Sequence, residues 1–237
     1  MQLTGDLSRC GLVPVSRPRQ LNLAFGEQRS WLSNERRWFV SNVWPAEQDL
    51  RTRLQAVLSE TFGLRALVVQ WQGATYRFAS LQYADRDVFT NGEGARRSGG
   101  RYSPIGGPRT VYLSLDRATA TAELDSWYEY YGVPDTAFKP RLLAAVAVSI
   151  GLLLDLTSPN VLAHLGLSPT HLAEEWRDIS DTGGVAPTQL LGRIAYEVGF
   201  EGLYIGSVRR PGGFNLALFP DNYRDGTHTL MLDGEPR

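Results

Sequence analysis

The longest apolar stretch of the 237-residue chain, Leu142 to Leu154, reads LLAAVAVSIGLLL and is closed by Asp155. Its 13 residues fall short of the roughly 20 that cross a bilayer as a helix. The stretch therefore belongs in a protein core, as a buried strand pair or a core helix. Covering it requires a sizeable apolar body. With 43% hydrophobic and 21% charged residues, the chain has the composition of a folded globular protein rather than a disordered one. The length suits one large domain, or one domain with an extension.

Charge removes several function classes. Lys and Arg number 24 against 25 Asp and Glu, a formal net charge of −1. No global field is available to hold an extended nucleic acid or an anionic membrane. Lys139 is the only lysine, so almost every cation is arginine. That bias has two readings, guanidinium forks for phosphates or carboxylates, or codon usage alone. Cys10 is the single cysteine, which excludes an intramolecular disulfide and a Cys-rich zinc site. His164, His171 and His228 are dispersed, with Pro169 between the first two, and no metal site is expected. The N-terminal residues MQLTGDLSRCGLVPVSRP hold no long apolar core, so a soluble, cytoplasmic protein is expected.

The spacing divides the chain into an N-terminal extension, residues 1–65, and a main domain, 66–237. Pro14, Pro18 and Pro45 break the extension, and Trp31, Trp38 and Trp44 are placed for packing. Glu47 to Phe62 puts Leu50, Leu54, Val57, Leu58 and Phe62 on one helical stripe, with Gly63 as a stop. From Ala66 the text turns β-rich: ALVVQW and ATYRFASL, with Gly73 read as a turn between two strands. A strand TVYLSL follows a Gly-rich stretch, and Asp116 is the expected N-cap of the helix RATATAELDSWYEYY. A β-rich run at 142–150 precedes the LDLTSP turn, short helices flank Pro169, Thr188–Val198 reads as a helix, and 202–207, 215–219 and 228–232 read as short strands. The pattern is mixed α+β rather than regular βαβ.

Three segments could carry chemistry. Asn91 to Pro108 holds Gly92, Gly94, Gly99, Gly100, Gly106 and Gly107 together with Arg96, Arg97 and Arg101. It fits neither a dinucleotide-binding nor a P-loop fingerprint. It reads as a backbone able to approach a diphosphate with guanidinium forks beside it, or as a solvated loop. Glu123 lies among the small residues Ala118, Ala120 and Ala122. It is either a carboxylate aimed into a cleft or a solvated helix residue. In GLYIGSVRRPGGFNLALF, Ser207 and Asn215 flank a glycine turn and can converge on one ligand, or mark a plain hairpin.

Taken in order, these segments resemble the RES domain family, toxins of bacterial Xre–RES toxin–antitoxin pairs. The matching residues are Arg77 in TYRFAS, Gly99-Gly100-Arg101-Tyr102, Gly106 or Gly107, Tyr112-Leu113-Ser114, Ala122-Glu123, and Ser207 with Gly213 and Asn215. They span roughly residues 70 to 232. Tyr102 stands where the family usually has Trp, and Ser103 where Asn is common.

The resemblance implies an ADP-ribosyltransferase-like mixed sheet core with surrounding helices. It also implies NAD+ as substrate rather than cofactor, consumed at the nicotinamide N-glycosidic bond by phosphorolysis or hydrolysis. Protein mono-ADP-ribosylation and a catalytically silent NAD-binding module are the alternatives. The implied catalytic residues are Glu123, Arg77 and Ser207. Arg77 and Arg101 would hold the diphosphate, Tyr102 and Tyr112 would offer aromatic faces, and Ser207 and Asn215 would bind NAD+. Arg96, Arg97, Arg209 and Arg210 are candidates for a cationic pocket taking a phosphate acceptor. The implied partner is a cognate Xre-type antitoxin, with homo-oligomers possible and no nucleic acid or membrane.

Overall fold

A computed structural model describes residues 44–59, 67–83 and 85–236. Cys10, Trp31, Trp38, Phe62 and Gly63 lie outside the described residues. Six strands form the sheet: β1 (Val68–Ser80), β2 (Val111–Ser114), β3 (Arg141–Asp155), β4 (Gly202–Gly206), β5 (Phe214–Leu218) and β6 (His228–Pro236). The described helices are α1 (Glu47–Ser59), α2 (Arg86–Phe89), α3 (Glu93–Ser98), α4 (Arg117–Tyr131), α5 (Pro159–Leu165), α6 (Pro169–Ala173), α7 (Trp176–Asp181) and α8 (Pro187–Glu197). The architecture is the mixed α+β one.

The β-rich run at 142–150 is strand, as its composition suggests, but the stretch at 142–154 is one long strand, β3, rather than a strand pair or a core helix. Leu142, Ala144, Val146, Val148 and Ile150 alternate into one buried cluster with Val111, Leu113, Leu216 and Leu218. Near its end Leu152, Leu153 and Leu154 are all buried, because Leu152 and Leu154 reach a second, helix-side cluster while Leu153 stays with the first. A strand buried on both sides at one end reads as a continuous apolar run.

Gly73 is likewise not a turn. It sits inside β1, paired with Val148 of β3, and β1 runs unbroken antiparallel to β3 from Val68 to Ser80 apart from a bulge at Val69–Trp71. The other edge of β3 is shared, with β6 alongside Leu142–Ser149 and β4 parallel to Leu153–Asp155. Since β1 bonds both β2 and β3, the order β1–β2–β5–β4–β3 returns to β1. The parallel β3–β4 pair requires a crossover, and residues 156–201 supply it with α5 to α8.

Helix α1 packs through Leu50, Leu54 and Val57 into the helix-side cluster with Val161, Leu165, Leu191 and Ile194. Arg51 to Glu197 (2.7 Å) and Arg193 to Glu47 (2.6 Å) pair it with α8. Such exposed pairs contribute little. The three apolar side chains do most of the holding.

Candidate functional site

A cavity of about 510 Å³ opens beside the sheet, and β1, β2, β5, α4, α7 and the Gly99–Tyr102 segment line it. Glu123 is among the residues that line it. Asp116 caps α4 by accepting from the Thr119 N–H at 2.8 Å, and this fixes where the helix starts. Glu123 then sits two turns in, on the cavity side. Its Oε1 accepts two hydrogen bonds, one from Ser207 Oγ at 2.8 Å and one from Asn215 Nδ2 at 2.8 Å. Among the described residues Oε2 makes no hydrogen bond.

The β4–β5 hairpin sets both donors. Ser207 N–H donates to Gly213 O, and Ser207 Oγ accepts from the backbone N–H groups of Arg209 (3.2 Å) and Arg210 (3.0 Å). With its lone pairs so occupied, the hydroxyl proton is directed at Glu123. Asn215 stands opposite Ser114 in the β2–β5 ladder, and its Oδ1 accepts from Ser114 Oγ at 2.7 Å.

Two arginines expected at the site line the cavity. Arg77 of β1 donates to Phe89 O, and its guanidinium lies 5.3 Å from the centre of the Phe89 ring. It makes no ion pair with a carboxylate among the described residues. Burial pushes its pKa down to about 10. Arg101 donates through Nη1 to Leu172 O (3.0 Å) and Glu174 O (2.6 Å), and burial lowers its pKa as well. For Arg101 the charges of Glu175 and Glu123 partly offset that burial, whereas Arg77, half-buried without a counter-charge, disfavours its own site unless an anion completes it.

The Gly99–Tyr102 segment is pinned from behind. Gln189 of α8 donates to Gly100 O at 3.1 Å, and Tyr102 N–H donates to the Tyr112 hydroxyl at 2.9 Å. A Cβ on Gly100 would lie 2.7 Å from the Tyr112 ring, and one on Gly192 would lie 2.0 Å from Tyr102 O. Both glycines permit close approach. Tyr102 is 2% exposed and its ring belongs to the helix-side core, where burial pushes its pKa up to about 12. Tyr112 packs against the same core, and burial raises its pKa. The aromatic side chains with more open surface at the cavity are Trp127, 39% exposed, and the half-buried Trp176 and Tyr76.

The four spare arginines separate. Arg96 and Arg97 are not in a flexible loop but on α3, exposed and facing Glu93, and they do not line the cavity. Arg210 pairs with Asp116 at 3.2 Å. Only Arg209 of the four lines the cavity, bonded to Glu175 Oε2 at 2.6 Å. Arg177 meets the other oxygen of Glu175 at 3.2 Å. Burial alone would raise the pKa of Glu175, but the Arg209 hydrogen bond and the charges of Arg177 and Arg209 outweigh it and hold the carboxyl below its usual range.

Trp127, Arg141, Trp176 and Arg177 also line the cavity, and sequence reasoning did not single them out. Trp127 had one signal, its position four residues after Glu123 on the same helix face. The other three have no local signature. Arg141 enters from the start of β3, with its guanidinium 5.3 Å from the Trp127 ring centre and its Nε donating to Tyr128 OH at 3.2 Å.

The described residues thus combine a sheet that closes on itself with a carboxylate tethered through one oxygen, in a cavity that Arg77 and Arg101 also line. The RES domain profile matches residues 74–232. The chain belongs to the RES domain family, as the ordered motifs implied. In fold it is similar to the toxin chain in a crystal structure of the M. tuberculosis MbcT–MbcA toxin–antitoxin complex, with a TM-score of 0.61 and 21% identity over 80% of this chain and 92% of that one. No curated protein sequence matches the chain.

Proposed function

We propose that this protein is the toxin of a toxin–antitoxin pair and consumes NAD+ by cleaving the nicotinamide N-glycosidic bond. The observation that carries the reading is the Glu123 carboxylate, fixed through one oxygen by Ser207 and Asn215 in the cavity that Arg77 and Arg101 line. RES family membership supports it.

The bond that breaks joins the nicotinamide nitrogen to ribose C1′. Its electron pair leaves with nicotinamide, which becomes neutral, and the ribose acquires oxocarbenium character. A carboxylate held nearby stabilises that charge, and it is worth most where preorganised and shielded from water. Oε1 is occupied by two donors, so Oε2 is the oxygen available to a ribose hydroxyl or to the developing cation. An oxygen of water or phosphate then bonds C1′, and its proton passes to Glu123 or to solvent. Arg77 and Arg101 match the diphosphate in charge and bonding geometry. Trp127 and Trp176 offer ring faces to a base. Ser207 acts as a donor to Glu123 rather than as a nucleophile, since its oxygen already accepts from the N–H groups of Arg209 and Arg210 and no histidine among the described residues lines the cavity.

The similar solved structure is a toxin–antitoxin complex, and we extend to this chain a cognate antitoxin, with an Xre-type protein as the expected one. Among the described residues no helix is long and apolar enough to cross a membrane. A cytoplasmic site of action follows from the proposed substrate.

Incubating the purified protein with NAD+, with and without phosphate, and identifying the products tests the reading. Free ADP-ribose indicates hydrolysis, ADP-ribose 1″-phosphate indicates phosphorolysis, and label on protein indicates transfer. Intact NAD+ under all conditions contradicts it.

A further inference from the structure

We infer that Ser114 is a positioning residue for the proposed reaction: it fixes the orientation of the Asn215 amide, and through it the Glu123 carboxylate. The inference rests on the function proposed above for its kinetic consequence, but not for its geometry.

The chain of bonds runs Ser114 Oγ to Asn215 Oδ1 (2.7 Å), then Asn215 Nδ2 to Glu123 Oε1 (2.8 Å). Its direction is dictated by chemistry. An ionised carboxylate only accepts, so the Asn215 end facing Glu123 must be the NH₂ group. The amide oxygen therefore faces the other way and requires a donor. Ser114 is directly across the β2–β5 ladder from Asn215 and supplies it. Ser114 is 6% exposed and Asn215 8%, so bulk water is a poor substitute. A flipped amide would put Oδ1 against Glu123 Oε1, an acceptor against an acceptor. The serine proton removes that alternative by making the productive orientation the only one with both ends satisfied. Ser114 lines the same cavity as Glu123 and Asn215, but its hydroxyl is spent on the amide.

The arrangement also explains why Glu123 is held from two sides. Ser207 approaches from the hairpin turn, and Asn215 from the ladder. Only the ladder side carries a group that can be inserted in either of two orientations. A fixing residue is needed there and not at Ser207, where two backbone N–H groups already orient the hydroxyl.

The test is a double-mutant cycle with Ser114→Ala, Ser114→Thr, Asn215→Ala and Ser114→Ala/Asn215→Ala. The rate of NAD+ loss is measured under saturating and limiting substrate, with melting temperatures recorded for each variant. The expected result is a kcat about tenfold lower for Ser114→Ala with KM nearly unchanged, recovery in Ser114→Thr, and no further loss when Ser114→Ala is added to Asn215→Ala. A full second loss in the Asn215→Ala background, or wild-type kcat in Ser114→Ala, overturns the inference. A second readout needs no turnover. The side-chain amide ¹⁵N–¹H pair of Asn215 should give two resolved, slowly exchanging resonances in the wild type and lose that protection in Ser114→Ala. Unchanged Asn215 resonances in Ser114→Ala overturn the relay even if the wild type consumes no NAD+, in which case the function reading fails separately.

Discussion

In the proposed reaction Glu123 depends on one of its oxygens being spoken for. Two donors at 2.8 Å fix the carboxylate and leave Oε2 without a hydrogen bond among the described residues, so Oε2 is the atom the proposed reaction would use. Glu123→Gln keeps the volume and removes the charge, so nicotinamide release should fall by about 10²–10⁴-fold. Arg77 shows the opposite economy. Its guanidinium has a carbonyl and a ring face for company, and burial brings its pKa down to about 10. The folded-state pKa lies below the unfolded value, so the charge costs stability under neutral conditions, and that cost is relieved only as pH rises past about 10. Arg77→Met should therefore raise the unfolding free energy by about 1–3 kcal/mol while weakening NAD+ use by about tenfold or more. A urea titration beside a KM measurement checks both signs. A variant that loses stability as well as NAD+ use would show that Arg77 is a structural residue.

At the scale of elements, the cavity depends on how closely α8 approaches the Gly99–Tyr102 segment. Gly192 has no side chain where a Cβ would meet Tyr102 O at 2.0 Å, and Gln189 bonds Gly100 O. Gly192→Ala should cost about 1–3 kcal/mol through overpacking, read as a lower urea midpoint. It should also lower NAD+ turnover, because Arg101 moves with the segment. Much of this level was legible in the sequence. The Asp116 cap, α4, and the Ser207–Asn215 hairpin are signalled by local chemistry, and their order along the chain carried the family resemblance. Gly73 was misleading because glycine marks turns more often than strand interiors, and here pairing with β3 overrides it. Arg96 and Arg97 were drawn toward the ligand by their glycine neighbours, but the stretch contains a helix that turns them to solvent. Arg141, Trp176 and Arg177 share a cavity with Glu123 only because of how strands and crossover come together, and no short-range pattern encodes that.

Over the whole molecule, the sheet closes around β3, whose apolar stretch first constrained the fold. Among the described residues one carboxylate is buried away from the cavity, that of Glu201, 1% exposed. Its Oε2 accepts from the N–H groups of Gly151 (3.2 Å) and Leu152 (2.8 Å), and its Oε1 from Arg224 N–H (2.8 Å) and Thr227 Oγ1 (2.6 Å). It ties the end of β3 to the segment leading into β6. Glu201→Ala leaves these donors unpaired and should cost about 2–4 kcal/mol. Folded Glu201→Ala protein should keep the wild-type KM for NAD+, since Glu201 does not line the cavity. A changed KM with unchanged stability would mean that the two regions are coupled. The near-zero net charge of −1 also reads differently against this fold. It disfavours an extended anion and is compatible with a small one met by local arginines. Nicotinamide release from NAD+ by the wild type and by Glu123→Gln, followed side by side by chromatography, tests the central claim most directly. Release by the wild type, lost in a folded Glu123→Gln variant, is the predicted result. Equal release by both proteins, or none by either, would contradict it.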